Sequence, residues 1–336
     1  MYGTSQFGKH FWLRCTALAA TLLLCVSPMA LAADTAPRML IPVGHTVGIK
    51  LFSRGVLVVK PPDGGTPARA CGLKQGDVIV KCGGMAVSST EQFQELLQKA
   101  GTTATELQVR RGGRYVTLAV EPEKNDQGRY AIGAWIRDSM AGIGTVTYLD
   151  PVTGDFGALG HGITDVDTAQ LMPFASGTIL PSTVKAVKKG VPGDAGELRG
   201  NFDLTKDLGS LEANTACGIF GTADAALWQG KPIPVASGSE IRQGPASILS
   251  NVRGDEVQTY QVEVVKVVPD AADGRDLVLS VTDPELIDAT GGIVQGMSGS
   301  PIIQDGKLIG AVTHVLLNDP TKGYGILIEN MLEAAG

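Results

Sequence analysis

The sequence predicts a mainly β protein with two globular units behind an apolar leader, and three observations lead there. Gly is 44 and Pro 18 of 336 residues while charged residues are only 18%, a balance that favours short strands and turns over long helices. Short apolar alternations bounded by turn residues recur from Gly55 to Leu316, and a single segment, Ser89–Gly101, carries helical periodicity with both a start and a stop signal. The length exceeds the ~100–200 residues of one ordinary domain, so two units are expected. Coiled coil and wholesale disorder are excluded. Lys plus Arg is 28 against 34 Asp plus Glu, net −6, and without a basic stripe no nucleic-acid backbone is a natural partner. The cluster Lys185, Lys188 and Lys189 reads as a solvated face.

The leader is 1–33. Lys9 and Arg14 precede an uncharged run from Cys15 to Ala33 that contains Pro28 and the small-x-small pattern Ala30-Leu31-Ala32. These are the marks of a signal peptide or N-terminal membrane anchor, so the rest is expected to be exported across, or anchored to, the cytoplasmic membrane. Export permits disulfides, yet only Cys71, Cys82 and Cys217 lie beyond the leader. Three thiols cannot all pair within the chain, and they read best as small buried apolar residues. No CxxC or His-rich spacing suggests a metal, and no cofactor is expected.

The first unit is expected over 39–122. Gly55–Lys60 reads as a buried strand, and Asp77–Cys82 as another entered from the turn Gly72–Gly76. Ser89 with Gln92 forms a capping box, Phe93, Leu96 and Leu97 make the apolar stripe, and Gly101 stops the helix. Leu107 and Val109, the turn Arg111–Arg114, and Val116, Leu118 and Val120 predict a hairpin. The run Thr66–Ile79, followed by Gly83–Val87 and the capped helix, resembles bacterial PDZ domains. That resemblance implies a peptide-binding module, with Val47, Gly48, Ile49 and Lys50 as the carboxylate-binding loop. The competing reading is a groove closed by a segment of the same chain.

The second unit, 123–336, follows the polar stretch Glu121–Gly128. Ala131–Ile136, Thr145–Leu149, Gln261–Val268, Leu277–Val281 and Leu308–Leu316 predict strands of a barrel or sandwich, and a pair of β-barrels with a cleft between them fits. Two glycine-flanked polar loops stand out, Gly160–Asp165 after the strand Phe156–Leu159, and Gly291–Pro301 around Ser298. Acyl transfer to a serine needs a neutral imidazole to take the hydroxyl proton, which His161 supplies. It also needs donors where charge develops on the carbonyl oxygen, and the N–H groups of Gly296 and Ser298 are placed for that. A carboxylate that fixes the imidazole tautomer is expected at Asp283, at a strand end before Pro284; Asp165 is the local competitor, better suited to capping the turn that follows it. His314 lines a specificity pocket or sits as a satisfied core histidine.

The runs Gly142–Thr147, Gly157–Asp165, Thr282-Asp-Pro and Gly291–Val315 resemble the SpoIVB peptidase family, and the similarity extends over nearly the whole chain from about residue 40. It implies a PDZ domain followed by a chymotrypsin-like double β-barrel, with His161 as base, Ser298 as nucleophile and Asp283 as acid. Met297 and Ser300 depart from the wider chymotrypsin-like pattern around the serine, and there the acid lies far upstream. The resemblance further implies a self-cleaving sporulation enzyme in the space between forespore and mother-cell membranes. Its partner would be a membrane-bound inhibitor of an intramembrane metalloprotease, whose cleavage lets pro-sigma-K be processed. A general HtrA-like quality-control protease and an inert PDZ adaptor are the alternatives.

Overall fold

Strand β1 (Met39–Pro42) and the long β2 (Thr46–Val58) open the described part of the chain. The computed structural model describes residues 37–336 apart from 61, 225–227, 229, 270, 272 and 273; the leader expected over 1–33 lies outside the described residues. The helical turn α1 (Pro67–Ala70) leads into β3 (Val78–Cys82), α2 (Thr90–Ala100), β4 (Thr105–Arg111) and β5 (Arg114–Val120). Helix α2 forms where the capping signal places it. Ser89 Oγ accepts from Gln92 N–H, but Gln92 Oε1 in turn accepts from the N–H of Ser88 rather than that of Ser89. Gly101 ends the helix at φ +61°, a left-handed angle that glycine adopts without strain. Phe93 and Leu97 bury against Ile79, Leu107, Val109 and Val120, and a fully buried Phe contributes about 1.5–3 kcal/mol.

The chain then makes β6 (Ile136–Leu149), β7 (Asp155–Ala158), β8 (Phe174–Lys188), β9 (Gly209–Thr215) and β10 (Gly218–Ala223). One sheet holds these strands in the order β1-β6-β7-β10-β9-β8-β2-β3-β4-β5, and β2 pairs with β6 as well. Val47, Ile49, Val146, Phe156, Leu159, Ile179 and Ile219 fill its core. Strands β2, β6 and β8 are the long members, and β2 and β6 pair along most of their length: Thr46–Phe52 with Thr145–Ser139, and Leu57 and Val58 with Arg137 and Ile136 beside β3.

Further along the chain, strands β11 (Gly244–Arg253), β12 (Glu256–Val267) and β13 (Leu277–Val281) precede helix α3 (Pro284–Thr290). After it come β14 (Pro301–Gln304), β15 (Lys307–Val315), β16 (Lys322–Leu327) and the terminal α4 (Ile328–Ala335). The six strands close as β11-β12-β13-β16-β15-β14 around a core that includes Ile248, Val264, Leu279, Ile302 and Val312. The architecture is therefore mainly β with one closed six-stranded barrel. No helix of the described residues is long and apolar enough to cross a membrane. Cys71, Cys82 and Cys217 are unpaired thiols; Cys82 is buried and the other two are half-buried, and burial pushes all three up from the ordinary thiol value.

One expectation changes here. Val47–Lys50, expected as a carboxylate-binding loop, is the interior of β2, paired to Gly144–Ala141 of β6 on one side and Pro181–Thr178 of β8 on the other. With a neighbour on both sides, these backbone groups are committed to the sheet. The PDZ resemblance that implied a loop here is carried by later residues, Thr66–Ile79 and Gly83–Val87, and does not reach β2 itself.

Candidate active site

Ser298 is fixed by its loop rather than by a regular element. Helix α3 ends at Gly291, φ +79°, and the chain crosses to β14 through Gly296 and Gly299. A Cβ on Gly299 would lie 2.0 Å from Thr145 O and 2.6 Å from Leu159 N, and its φ of +97° is itself a glycine angle. This close approach lets Thr145 of β6 stitch the loop twice: its N–H donates to Ser298 O at 2.9 Å and its Oγ1 to Gly296 O at 2.8 Å. Gly299 N–H donates to Val312 O of β15 at 2.7 Å, and Met297 is fully buried beneath. The Ser298 hydroxyl donates to Thr313 O at 2.6 Å.

His161 follows β7 through a strained turn. Leu159 is buried at φ +69°, rare for a branched side chain, and Gly160 packs against Thr313, where a Cβ would lie 2.9 Å from Thr313 Cγ2. The ring is partly buried, and Nδ1 lies 2.9 Å from Gly162 O. A carbonyl only accepts, so Nδ1 carries the proton and Nε2 is left as the basic nitrogen. Burial holds this imidazole below its ordinary value, partly offset by the Gly162 carbonyl. Burial therefore favours the neutral ring that a proton acceptor needs.

The two residues come together. Ser298, His161 and Gln295 line both a pocket of about 260 Å³, with Ile49, Ile143 and Gly296, and a second of about 550 Å³, with His314, Arg275 and Tyr324. Among the described residues, neither Gly296 N–H nor Ser298 N–H has a hydrogen-bond acceptor, whereas Met297 N–H between them donates to Val294 O at 3.1 Å. Two open donors beside a hydroxyl and an imidazole are what an acyl-transfer site requires. His314 is exposed, and its ring centroid lies 5.0 Å from that of His161.

The carboxylates are elsewhere. Asp283, expected as the acid, is the N-cap of α3: Oδ1 accepts from Glu285 and Leu286 N–H at 2.9 and 3.1 Å, and Oδ2 from Gln261 N–H at 3.1 Å. It lines neither pocket. The strand-end, pre-proline signal that suggested a triad acid is equally the signal of a helix start. Asp165 is buried and caps its own turn, accepting from Asp167 N–H, Thr168 N–H and Thr168 Oγ1, while Arg137 pairs with its other oxygen. Burial alone would raise it, but the Thr168 and Arg137 bonds outweigh that and hold it below the usual carboxylate range. Sequence reasoning missed Thr145 and Thr313. Both stand within runs already singled out, Gly142–Thr147 and Gly291–Val315, but neither threonine is marked individually by the local pattern.

Serine protease HTRA1 of Xenopus tropicalis is 39% identical over 59 residues, 18% of this chain, and the chain spans 13% of that protein's length. The solved PDZ domain of an SdrC-like protein from Listeria monocytogenes is 20% identical over 25% of this chain and 87% of its own, with TM-score 0.23. The HtrA-type protease AlgW with decapeptide is 12% identical over 63% of this chain and 57% of its own, with TM-score 0.36. A PDZ domain family matches residues 58–111. The SpoIVB peptidase S55 family matches 128–332, which takes in β6, the His161 turn and the Ser298 loop, and the chain belongs to that family.

Proposed function

We propose that the protein is a serine endopeptidase in which Ser298 attacks the peptide carbonyl and His161 takes its proton. The observation that carries this reading is the convergence of the hydroxyl, the neutral imidazole and the open N–H groups of Gly296 and Ser298 on one pair of pockets. A substrate carbonyl carbon near Ser298 draws Oγ away from Thr313 O and toward His161 Nε2. The oxygen that becomes negative then falls between the Gly296 and Ser298 N–H donors, each worth roughly 10²–10³-fold in rate. The protonated His161 next gives its proton to the leaving amine, and water repeats the cycle on the acyl-enzyme. The larger pocket, with His314 at its wall, takes the side chain that precedes the cut. Asp283 serves by anchoring α3, whose C-terminal end launches the nucleophile loop.

The finer readings follow from family membership and from the pairing pattern. The strands β6-β7-β10-β9-β8-β2 return to β6 through the β2–β6 pairing, which supports a second barrel facing the closed one. The division into a PDZ part before residue 122 and a peptidase part after it then runs through a fold in which β2 serves both. Sporulation signalling, self-cleavage, export and a membrane-bound regulator of an intramembrane protease as substrate make up the biological reading. Expression of wild-type and Ser298→Ala protein, with N-terminal sequencing of the fragments, tests the core of it. Fragments from wild type alone are expected, and His161→Ala should match Ser298→Ala. Undiminished processing in Ser298→Ala would remove the nucleophile.

A further inference from the structure

The imidazole of a serine peptidase works only if the nitrogen facing the hydroxyl is unprotonated, so something must hold the proton on the other nitrogen. Here the partner of His161 Nδ1 is not a carboxylate but the carbonyl of Gly162. That carbonyl belongs to the planar peptide joining Gly162 to Ile163, whose N–H points the opposite way because the unit is trans. The N–H of Ile163 donates to Asn214 Oδ1 at 2.8 Å. The same amide returns two bonds, Nδ2 to Ile163 O and to Met172 O, each 3.0 Å. Asn214 thus grips both sides of Ile163 and, through one rigid peptide plane, aims the carbonyl that holds His161. Gly162 admits the approach: a Cβ there would lie 2.3 Å from Thr215 O, the residue after Asn214 on β9. An N–H accepted at one end of a peptide also polarises the C=O at the other, strengthening the bond to Nδ1.

We propose that Asn214 is the positioning residue of the catalytic base, holding His161 in its Nδ1–H tautomer through the Gly162–Ile163 peptide and doing the work a triad carboxylate does elsewhere. The proposal rests on the reading of His161 as base. The chain has four histidines, so nitrogen NMR of ¹⁵N-histidine-labelled full-length protein, assigned with His161→Asn, can read the tautomer directly. Wild type is expected to show protonated Nδ1 and bare Nε2 at residue 161. Asn214→Ala is expected to show mixed tautomers, with kcat on a peptide substrate lowered on the order of 10- to 100-fold, part of the roughly 10²–10⁴ a positioned base supplies, and KM within about twofold.

An Nε2–H tautomer in wild type, or an unchanged tautomer and kcat in Asn214→Ala, would overturn the proposal. Should the alanine variant not fold, Asn214→Asp keeps the acceptor for Ile163 N–H. It is expected to retain the Nδ1–H form, and a shift to Nε2–H in it counts against the peptide-plane mechanism. Retained activity in His161→Ala would instead overturn the base assignment itself, separately from the role of Asn214.

Discussion

Gly299 and His161 set the terms of the site one residue at a time. At Gly299 the backbone angle and the 2.0 Å approach to Thr145 O forbid a side chain together. Gly299→Ala is therefore expected to push the Ser298 loop off β6, break both Thr145 bonds and lower kcat by at least 10²-fold, on the scale of one lost oxyanion donor. Active-site labelling with a fluorophosphonate checks it, and labelling at the wild-type rate would contradict the packing argument. At His161, burial lowers the pKa of the folded chain relative to an unfolded histidine near ~6.5. As pH falls below that value the unfolded chain binds a proton the folded site resists. The stabilising contribution is therefore whole above about pH 6.5 and is lost toward the lower folded value. The acid limb of the kcat/KM profile should accordingly have its midpoint below about 6.5; a midpoint at or above it would mean an exposed, unperturbed imidazole.

Helix α3 joins two lessons at the level of elements. It begins with Asp283 accepting two of its first N–H groups and ends at Gly291, so its C-terminus is the launching point of the nucleophile loop. Asp283→Ala should cost about 0.5–2 kcal/mol of unfolding free energy, the usual worth of an N-cap, while Asp283→Asn keeps most of it; urea denaturation of both variants measures the difference. The same residue marks the limit of what the sequence discloses. Strands such as Leu277–Val281 and helix α2 are legible because period and punctuation are local, and Ser298 and His161 are legible because glycines on both sides announce an exposed polar turn. The partner of an imbedded imidazole is a property of tertiary approach. Asp-Pro before an apolar run is written identically for a cap and for a triad acid, and Asn214 reaches Ile163 from the far end of another strand with no trace in spacing. Val47–Lys50 was hidden for a related reason, since a strand paired on both sides and a loop beside a strand share the same few residues.

In the whole molecule, β2 and β6 run from the small helical unit into the wall of the cleft. Leu57, Val58 and Ile136 sit beside β3, while Ile49 and Ile143, on the same two strands, line the 260 Å³ pocket. Shared strands leave no hinge, so the described residues should unfold as one cooperative body. Phe93→Ala, far from the chemistry but at the centre of the helical unit's core, should cost about 3–5 kcal/mol. It should shift circular dichroism and loss of peptidase activity together along a urea titration, and two separated transitions would show the parts to be independent. Continuity also makes the spacing along these ribbons unforgiving. One extra codon between Arg137 and Ile143 would turn every later side chain of that ribbon to the opposite face, expelling Ile143 from the cleft and pulling Thr145 away from the nucleophile loop. Length variation among natural variants should therefore gather in outlying segments such as Glu121–Gly128 and spare this stretch altogether.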